Sequence, residues 1–194
     1  MHNIETLVVV GKTGSGKTTL VNGLRTPEYA GKVVIPPRYI TRPRRQGDDL
    51  TENIHIDRDN FNMGVSIGLI NPHWTRGFED GREEAYGFKA VESDDIRLRV
   101  LSANDAILRD PNHSVWRALY RGMIVAAMAS PEDCDERVTA RSPDMSPEEK
   151  AVRLQNSGMD LLNVGAPIEI INTSSLTIEQ GQQVLRDIVD GIRP

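Results

Sequence analysis

The chain has 194 residues and a formal net charge of −5 at pH 7. This length suits one domain with a sizeable core, and the acidic balance argues against a broad nucleic-acid or membrane-binding surface. Cys134 is the only cysteine, which excludes an intrachain disulfide and a zinc cluster. The first residues lack the features of a signal peptide, and no apolar stretch approaches the length of a membrane span. We therefore expect a cytoplasmic protein, monomeric or homodimeric, that binds neither nucleic acid nor membranes.

The first predicted elements are a β-branched strand over residues 7–10 and a helix over residues 17–25. The sequence GKTGSGKT at residues 11–18 fits the pattern G-x-x-x-x-G-K-[ST] without a mismatch. Between a strand and a helix, this pattern is typical of a P-loop, whose glycines let the backbone wrap closely around a polyphosphate. The predicted ATP-binding residues of the loop are Gly11, Thr13, Gly14, Ser15, Gly16, Lys17, Thr18 and Thr19.

Two P-loop side chains have separate predicted roles. Lys17 is expected to reach the β- and γ-phosphates, which makes it a candidate catalytic residue. The Thr18 hydroxyl is expected to bind Mg²⁺. The motif therefore predicts a protein that binds ATP together with Mg²⁺.

Further strands are predicted at residues 33–35, 99–101, 123–127 and 168–171, and further helices at 131–141, 147–157 and 177–192. Alternating strands and helices predict an α/β fold of the P-loop NTPase type, a parallel sheet with helices on both faces. The alternation stops over residues 36–90, which are rich in Pro, Gly, Arg and Asp and show short β-like pieces with little helical periodicity. We predict a single domain with a core (1–35, 91–141 and 157–194), an acceptor-binding subdomain (36–90) and a mobile lid (142–156).

Five local patterns, in this order along the chain, resemble those of the guanylate kinase family. They are the P-loop, YITRPRRQG at residues 39–47, HW at 73–74 with AYG at 85–87, RVTAR at 137–141 with KAVRL at 150–154, and IINTSSL at 170–176. The resemblance covers nearly the whole chain. It implies a kinase that transfers the γ-phosphoryl group of ATP to a small phosphorylated acceptor.

The resemblance also suggests roles for residues outside the P-loop. Arg42 and Arg45, beside the Thr41 hydroxyl, suit an acceptor phosphate, and a role as solvated loop charges is the alternative. Arg141 and Arg153 suit the transferring phosphate as closing lid arginines and are further catalytic candidates, with surface pairing to neighbouring glutamates as the alternative. The remaining implied site residues are His73 and Tyr86 near the acceptor and Asn172 near the adenine, where a turn role for Asn172 is the alternative.

Three departures from the guanylate kinase pattern concern the acceptor. His73 stands where the family has a Glu that reads guanine, and the stretch around Asn53 lacks the family's Tyr. The strand end at residues 101–105 has no Asp at the expected place, and Asp105 is the nearest carboxylate. These departures resemble the ribose 1,5-bisphosphate phosphokinases, although Arg45 is usually absent there and the charged segment 75–84 is foreign to both groups.

The sequence therefore predicts an ATP-dependent kinase whose acceptor is GMP or a ribose phosphate such as ribose 1,5-bisphosphate. Because a neutral imidazole cannot replace a guanine-reading carboxylate, we expect GMP to be a poor substrate. The alternatives are a catalytically weak regulatory ATPase and a guanylate-kinase-like binding module.

Overall fold

A computed structural model of the chain describes residues 4–44, 48, 50–77, 81–91, 97–104, 107–108, 121–154 and 166–192. Nine strands and five helices are present in these ranges. In chain order they are β1 (Thr6–Val10), α1 (Lys17–Asn22), β2 (Val33–Val34), β3 (Arg38–Ile40), β4 (Asn53–His55), α2 (Arg58–Ser66), β5 (Ile70–Gly77), β6 (Glu83–Lys89), β7 (Leu98–Ala103), β8 (Gly122–Met128), α3 (Pro131–Arg141), α4 (Pro147–Leu154), β9 (Ile168–Asn172) and α5 (Ile178–Ile192).

The first sheet has five strands in the order β2-β7-β1-β8-β9, and every neighbouring pair is parallel. The central strand β1 is buried throughout, as expected for the uninterrupted apolar run that forms it. Each predicted strand of the core is present within one or two residues of its expected bounds. The predicted α/β fold with a parallel sheet is confirmed.

Alternating side chains of β1 supply two separate cores, one on each face of the sheet. Leu7 and Val9 pack with Leu20 of α1 and Leu185 of α5. Val8 and Val10 belong to the opposite core, which also contains Ile40, Trp74, Tyr86 and Phe88. Within the described residues, a helical layer therefore covers one face, and side chains of the second sheet contribute to covering the other.

The second sheet has four strands in the order β4-β3-β6-β5. Strands β5 and β6 pair antiparallel from Trp74↔Tyr86 out to Gly77↔Glu83. The charged segment 75–84 is therefore largely the outer end of a β-hairpin, and its residues 78–80 lie outside the described part of the chain.

Helix α2 corrects the expectation that residues 36–90 consist of short β-like pieces with little helical periodicity. Its N-terminus is capped by the Asp57 side chain, which accepts a hydrogen bond from the backbone N–H of Asn60 at 2.8 Å. Only Phe61 and Gly64 of this helix are buried. A helix that buries one large side chain and a glycine shows little apolar periodicity in its sequence, which explains why it was missed.

The other helices begin and end near the predicted bounds. Helix α3 has the predicted bounds, since Ser130 caps its N-terminus and Pro131 occupies the first helical position. Helix α1 ends at Asn22, three residues early, with Gly23 as its C-cap. None of the helices in the described ranges combines the length and apolar character needed to cross a bilayer.

Candidate active site

The P-loop links the carboxyl end of β1 to the first turn of α1. Gly14 and Gly16 have φ angles of 85° and 84°, in the left-handed region that side chains disfavour. A Cβ on Gly14 would also lie 2.6 Å from the carbonyl oxygen of Cys134 in α3. The glycines therefore allow the turn of the P-loop and also the close packing of α3 against the loop.

Lys17 lies across the P-loop. Its ammonium donates to the carbonyl oxygens of Gly11 at 2.8 Å and Lys12 at 2.5 Å. Thr18 and Thr19 follow in the first turn of α1 and line a cavity in front of the loop. Gly11 and Ser15 form the rear of the loop, where Ser15 is buried.

The cavity has a volume of about 560 Å³ and opens at the carboxyl edge of the parallel sheet, where ligands of such folds bind. One wall is the P-loop, and α3 and the segment after β9 form another. The second sheet closes the far side. The charged side chains that line the cavity are the cations Lys17, Arg38, Arg42, Arg76, Arg137 and Arg141 and the carboxylates Asp48 and Glu52. This excess of positive charge suits anionic ligands.

Arg42 forms a bidentate ion pair on the far wall. Its two terminal nitrogens each lie 2.7 Å from one carboxylate oxygen of Asp48. Burial alone would lower the pKa of Arg42, but the hydrogen bonds and attraction to Asp48 outweigh it and raise that pKa. The His55 ring lies beside the pair, with Nε2 3.3 Å from Asp48 and Nδ1 3.0 Å from the Arg42 carbonyl oxygen. Arg42 is thus a fixed cation.

Arg38 joins the two sheets at the cavity. Its guanidinium donates to the Asn53 side chain at 2.8 and 3.2 Å and to the Ser102 carbonyl oxygen, at the carboxyl end of β7, at 3.2 Å. Burial lowers the pKa of Arg38. The second sheet is therefore fixed to the parallel sheet by the Arg38 guanidinium.

Tyr86 supplies the aromatic surface of the cavity. Its ring stacks on Trp74 with centroids 5.4 Å apart, and its hydroxyl donates to Glu84. Burial, with the nearby Glu84 charge, raises the pKa of Tyr86 to about 12, so the phenol stays protonated at neutral pH. The Trp74 indole donates to Asn104 at 3.1 Å, which connects this stack to the end of β7.

Relatives of the chain are kinases. The chain is 30% identical over 170 residues to the ribose 1,5-bisphosphate phosphokinase PhnN of Rhodopseudomonas palustris, an alignment covering 84% of this chain and 81% of the relative. The chain belongs to this family of guanylate kinase-like P-loop kinases. It is also 33% identical over 89 residues to the bifunctional ribose 1,5-bisphosphokinase-thymidine phosphorylase of Azorhizobium caulinodans, covering 45% of this chain and 12% of that protein.

The fold agrees with this assignment. The guanylate kinase of Anaplasma phagocytophilum has a TM-score of 0.55 at 15% identity, with 97% of this chain and 84% of that chain covered. At that identity the likeness concerns the fold alone. No protein-family profile matches the chain. The expectation of a phosphotransferase is confirmed by the kinase relatives.

In this kinase, the predicted site residues fall into four groups, of which the fourth has contacts elsewhere and is described below. Those that line the cavity are Thr13, Gly14, Gly16, Lys17, Thr18, Thr19, Arg42, Tyr86 and Arg141. Gly11 and Ser15 support the loop from behind. Arg45 lies outside the described residues, and so does the side chain of Arg153 on α4.

Three predicted residues of the kinase make contacts elsewhere. The His73 ring lies edge-on to Phe61 of α2, with centroids 6.5 Å apart, whereas its neighbour Trp74 packs in the opposite core with Tyr86 and Phe88. The Thr41 hydroxyl accepts a hydrogen bond from the backbone N–H of Ala85 at 2.8 Å. The exposed Asn172 side chain accepts from the N–H of Ser174 at 3.1 Å, which is the turn role considered for it.

The cavity of the kinase also includes charged residues that sequence reasoning did not assign to the site. Arg38, Arg76, Arg137 and Asp48 all line it. The alternation of side chains along a strand could have predicted the position of Arg76. Arg76 lies two residues from Trp74, so both side chains are on the same face of β5. No local pattern pointed to Asp48, whose role depends on contact with Arg42.

Proposed function

We propose that this phosphotransferase moves the γ-phosphoryl group of ATP to a small phosphorylated acceptor, with ribose 1,5-bisphosphate as the first candidate. The observation that carries the proposal is a single cavity with a P-loop on one side and arginines of a second sheet on the other. Such an arrangement suits two anionic substrates that meet in the middle. Positioning and charge stabilisation supply most of the catalysis of phosphoryl transfer.

On the ATP side, the P-loop residues would hold the phosphates, and Lys17 would leave its carbonyl partners to contact the transferring group. The donor set fits Mg²⁺, because Thr18 offers a hydroxyl at the cavity and Mg²⁺ commonly binds through few protein groups together with phosphates and water. When bound, Mg²⁺ would neutralise charge on the β- and γ-phosphates. No group of three or more His, Cys, Asp or Glu side chains that suits a metal occurs among the described residues, in keeping with such a sparse site.

On the acceptor side, we propose that residues 36–90 act as the acceptor-binding subdomain. Arg42 and Arg76 would bind acceptor phosphate, with Arg45 as a further candidate. A phosphorylated acceptor supplies its own anionic nucleophile, so no general base is needed. His73 is left out of the proposed site because its ring packs against Phe61.

Arg141 and Arg153 would complete the charge around the transferring phosphate, with residues 142–156 as a lid. Arg141 ends α3 and lines the cavity. Helix α4 is linked to α3 by an ion pair between Lys150 and Asp135 at 2.8 Å. This ion pair connects the proposed lid to the helix that carries Arg141.

The choice of acceptor rests on the relative named a ribose 1,5-bisphosphate phosphokinase and on the wall around Arg42. GMP is the second candidate, because the carboxylates of Asp48 and Glu52 lie on the same wall and guanine recognition uses a carboxylate acceptor. Adenosine, cytidine and uridine monophosphates serve as further comparisons.

The experiment is a coupled assay of ADP release with Mg·ATP and each acceptor in turn, with Lys17→Ala as the inactive control. Acceptor-dependent release with ribose 1,5-bisphosphate is the expected result. ADP release that is independent of every acceptor would instead support a regulatory ATPase. A preference for GMP above about 100-fold, the scale of specific polar recognition, would make GMP the acceptor.

A further inference from the structure

Helix α3 rests directly on the P-loop. The backbone of Gly14 approaches the Cys134 carbonyl so closely that a Cβ would lie 2.6 Å from it. One turn along the helix, the Arg137 guanidinium donates to the Gly14 carbonyl oxygen at 3.3 Å. The first half of α3 therefore touches the middle of the loop through backbone packing and a charged donor.

Thr173, directly after β9, completes this contact. Its buried hydroxyl lies 3.0 Å from the Ser15 carbonyl oxygen and 3.0 Å from that of Met128, at the end of β8. The same hydroxyl accepts from Arg137 at 3.2 Å, and Arg137 also donates to the Thr173 carbonyl oxygen at 2.9 Å. One threonine and one arginine thus tie the P-loop to two strands and a helix.

The bond to Ser15 has a consequence for phosphate binding. In a planar trans peptide the C=O and the N–H point in opposite directions. Because the Ser15 carbonyl oxygen lies within hydrogen-bond distance of the Thr173 hydroxyl, the orientation of the peptide between Ser15 and Gly16, and with it the direction of the Gly16 N–H, is fixed. A glycine-rich loop would otherwise sample many orientations of this peptide.

We propose that Thr173 and Arg137 are positioning residues that hold the P-loop in its phosphate-binding shape. Arg137 also anchors α3, and Arg141 follows one turn later on the same helix face. We call Thr173 and Arg137 together the clamp. The clamp thereby couples the ATP-binding loop to the proposed lid arginine, Arg141. The proposal rests on the proposed function in one respect, that the anion at the loop is ATP.

Two variants of Thr173 and one matched control begin the test of the clamp. Thr173→Val removes the hydroxyl and keeps the branched shape, whereas Thr173→Ser keeps the hydroxyl. Thr139→Val is the matched control, because the Thr139 hydroxyl donates to the Asp135 carbonyl oxygen within the exposed part of α3, at 2.8 Å. Mg·ATP affinity is measured by calorimetry without acceptor, and thermal melting is measured without nucleotide.

Thr173→Val should weaken Mg·ATP binding about 5- to 10-fold, the effect of one intramolecular hydrogen bond, while Thr173→Ser and Thr139→Val stay within about twofold of the parent protein. Arg137→Met should weaken binding as well. Because both variants break the same network, the double variant should lose less affinity than the product of the two single losses.

The outcomes separate the clamp from the proposed function. Unchanged ATP affinity in Thr173→Val, whether or not its melting temperature falls, would overturn the clamp while the kinase proposal stands. The clamp would also be overturned if the loss of Mg·ATP affinity in the double variant equals the product of the two single losses. A parent protein that fails to bind Mg·ATP would overturn the proposed function and the ATP clamp together.

Discussion

The ion pair between Arg42 and Asp48 gives the sharpest test of the acceptor wall. Two 2.7 Å contacts join the pair, and the side chains are only 9% and 13% exposed. Arg42→Ala would remove a charged donor from the acceptor and leave a half-buried carboxylate behind. Asp48→Asn would instead keep the arginine and reduce the negative charge that competes with an acceptor phosphate.

The expected magnitudes differ for binding and for stability. Charged hydrogen bonds contribute about 1.5–3 kcal/mol, so Arg42→Ala should lower acceptor kcat/KM roughly 10- to 150-fold. Breaking a buried pair costs about 3–5 kcal/mol, so the free energy of unfolding should fall by an amount in that range. Asp48→Asn should leave acceptor kcat/KM unchanged or raise it.

The assay measures acceptor kcat/KM at saturating Mg·ATP, Mg·ATP affinity without acceptor, and urea unfolding at pH 7. Arg58→Ala is the control, since Arg58 at the start of α2 pairs with Glu83 of β6 at 3.2 Å, both side chains are exposed, and the loss should cost at most about 1 kcal/mol. If Arg42→Ala leaves acceptor kcat/KM within about twofold while stability falls, Arg42 supports the fold and the reasoning is refuted.

Three further predictions concern the remaining parts of the cavity. Lys17→Ala should abolish phosphoryl transfer at a near-normal melting temperature, and undiminished turnover would contradict the kinase proposal. Arg141→Ala should cut kcat strongly with little change in either KM, because a lid arginine contacts the transferring phosphate only after the lid closes. A loss confined to ATP affinity would argue against this role. The free energy of unfolding, measured with urea from pH 9 to 11.5, should fall above about pH 10. The reason is that the pKa of Tyr29 and of Tyr86 is raised to about 12 in the folded protein, whereas an unfolded tyrosine loses its proton near pH 10. The fall should be less steep in Tyr86→Phe, which lacks one of these two groups. Identical slopes in the two proteins would contradict the Tyr86 assignment.

The parallel sheet and its P-loop could be predicted because their signals are local. The apolar run of β1, the glycines that follow and the cap at Ser130 each occupy a few adjacent residues. Helix α2 lacked such a signal, because its buried face consists of little more than Phe61 and Gly64. The predicted domain boundaries and the lid stay predictions.

The far wall of the cavity could be predicted only in part. The motif around Arg42 identified a phosphate-binding arginine candidate, but the partner that fixes it, Asp48, lies six residues along and is recognised only through contact. His73 and Trp74 are adjacent in sequence and point to opposite faces of β5, so assigning one of them to the cavity required the strand's register. Non-local pairing and register are the information that the motifs did not contain.

The charge of the cavity is opposite to that of the whole chain, and this difference bears on substrate selection. The chain carries a net charge of −5, whereas the described residues that line the cavity include six cations and two carboxylates. The excess of positive charge is therefore local to the cavity, where it favours the binding of small anions. Within the cavity, Arg42 and Arg38 already have protein partners, which limits the energy needed to keep several cations close together. A ligand that brings two separate clusters of negative charge, one at the P-loop and one at the far wall, is therefore favoured over a ligand that brings one.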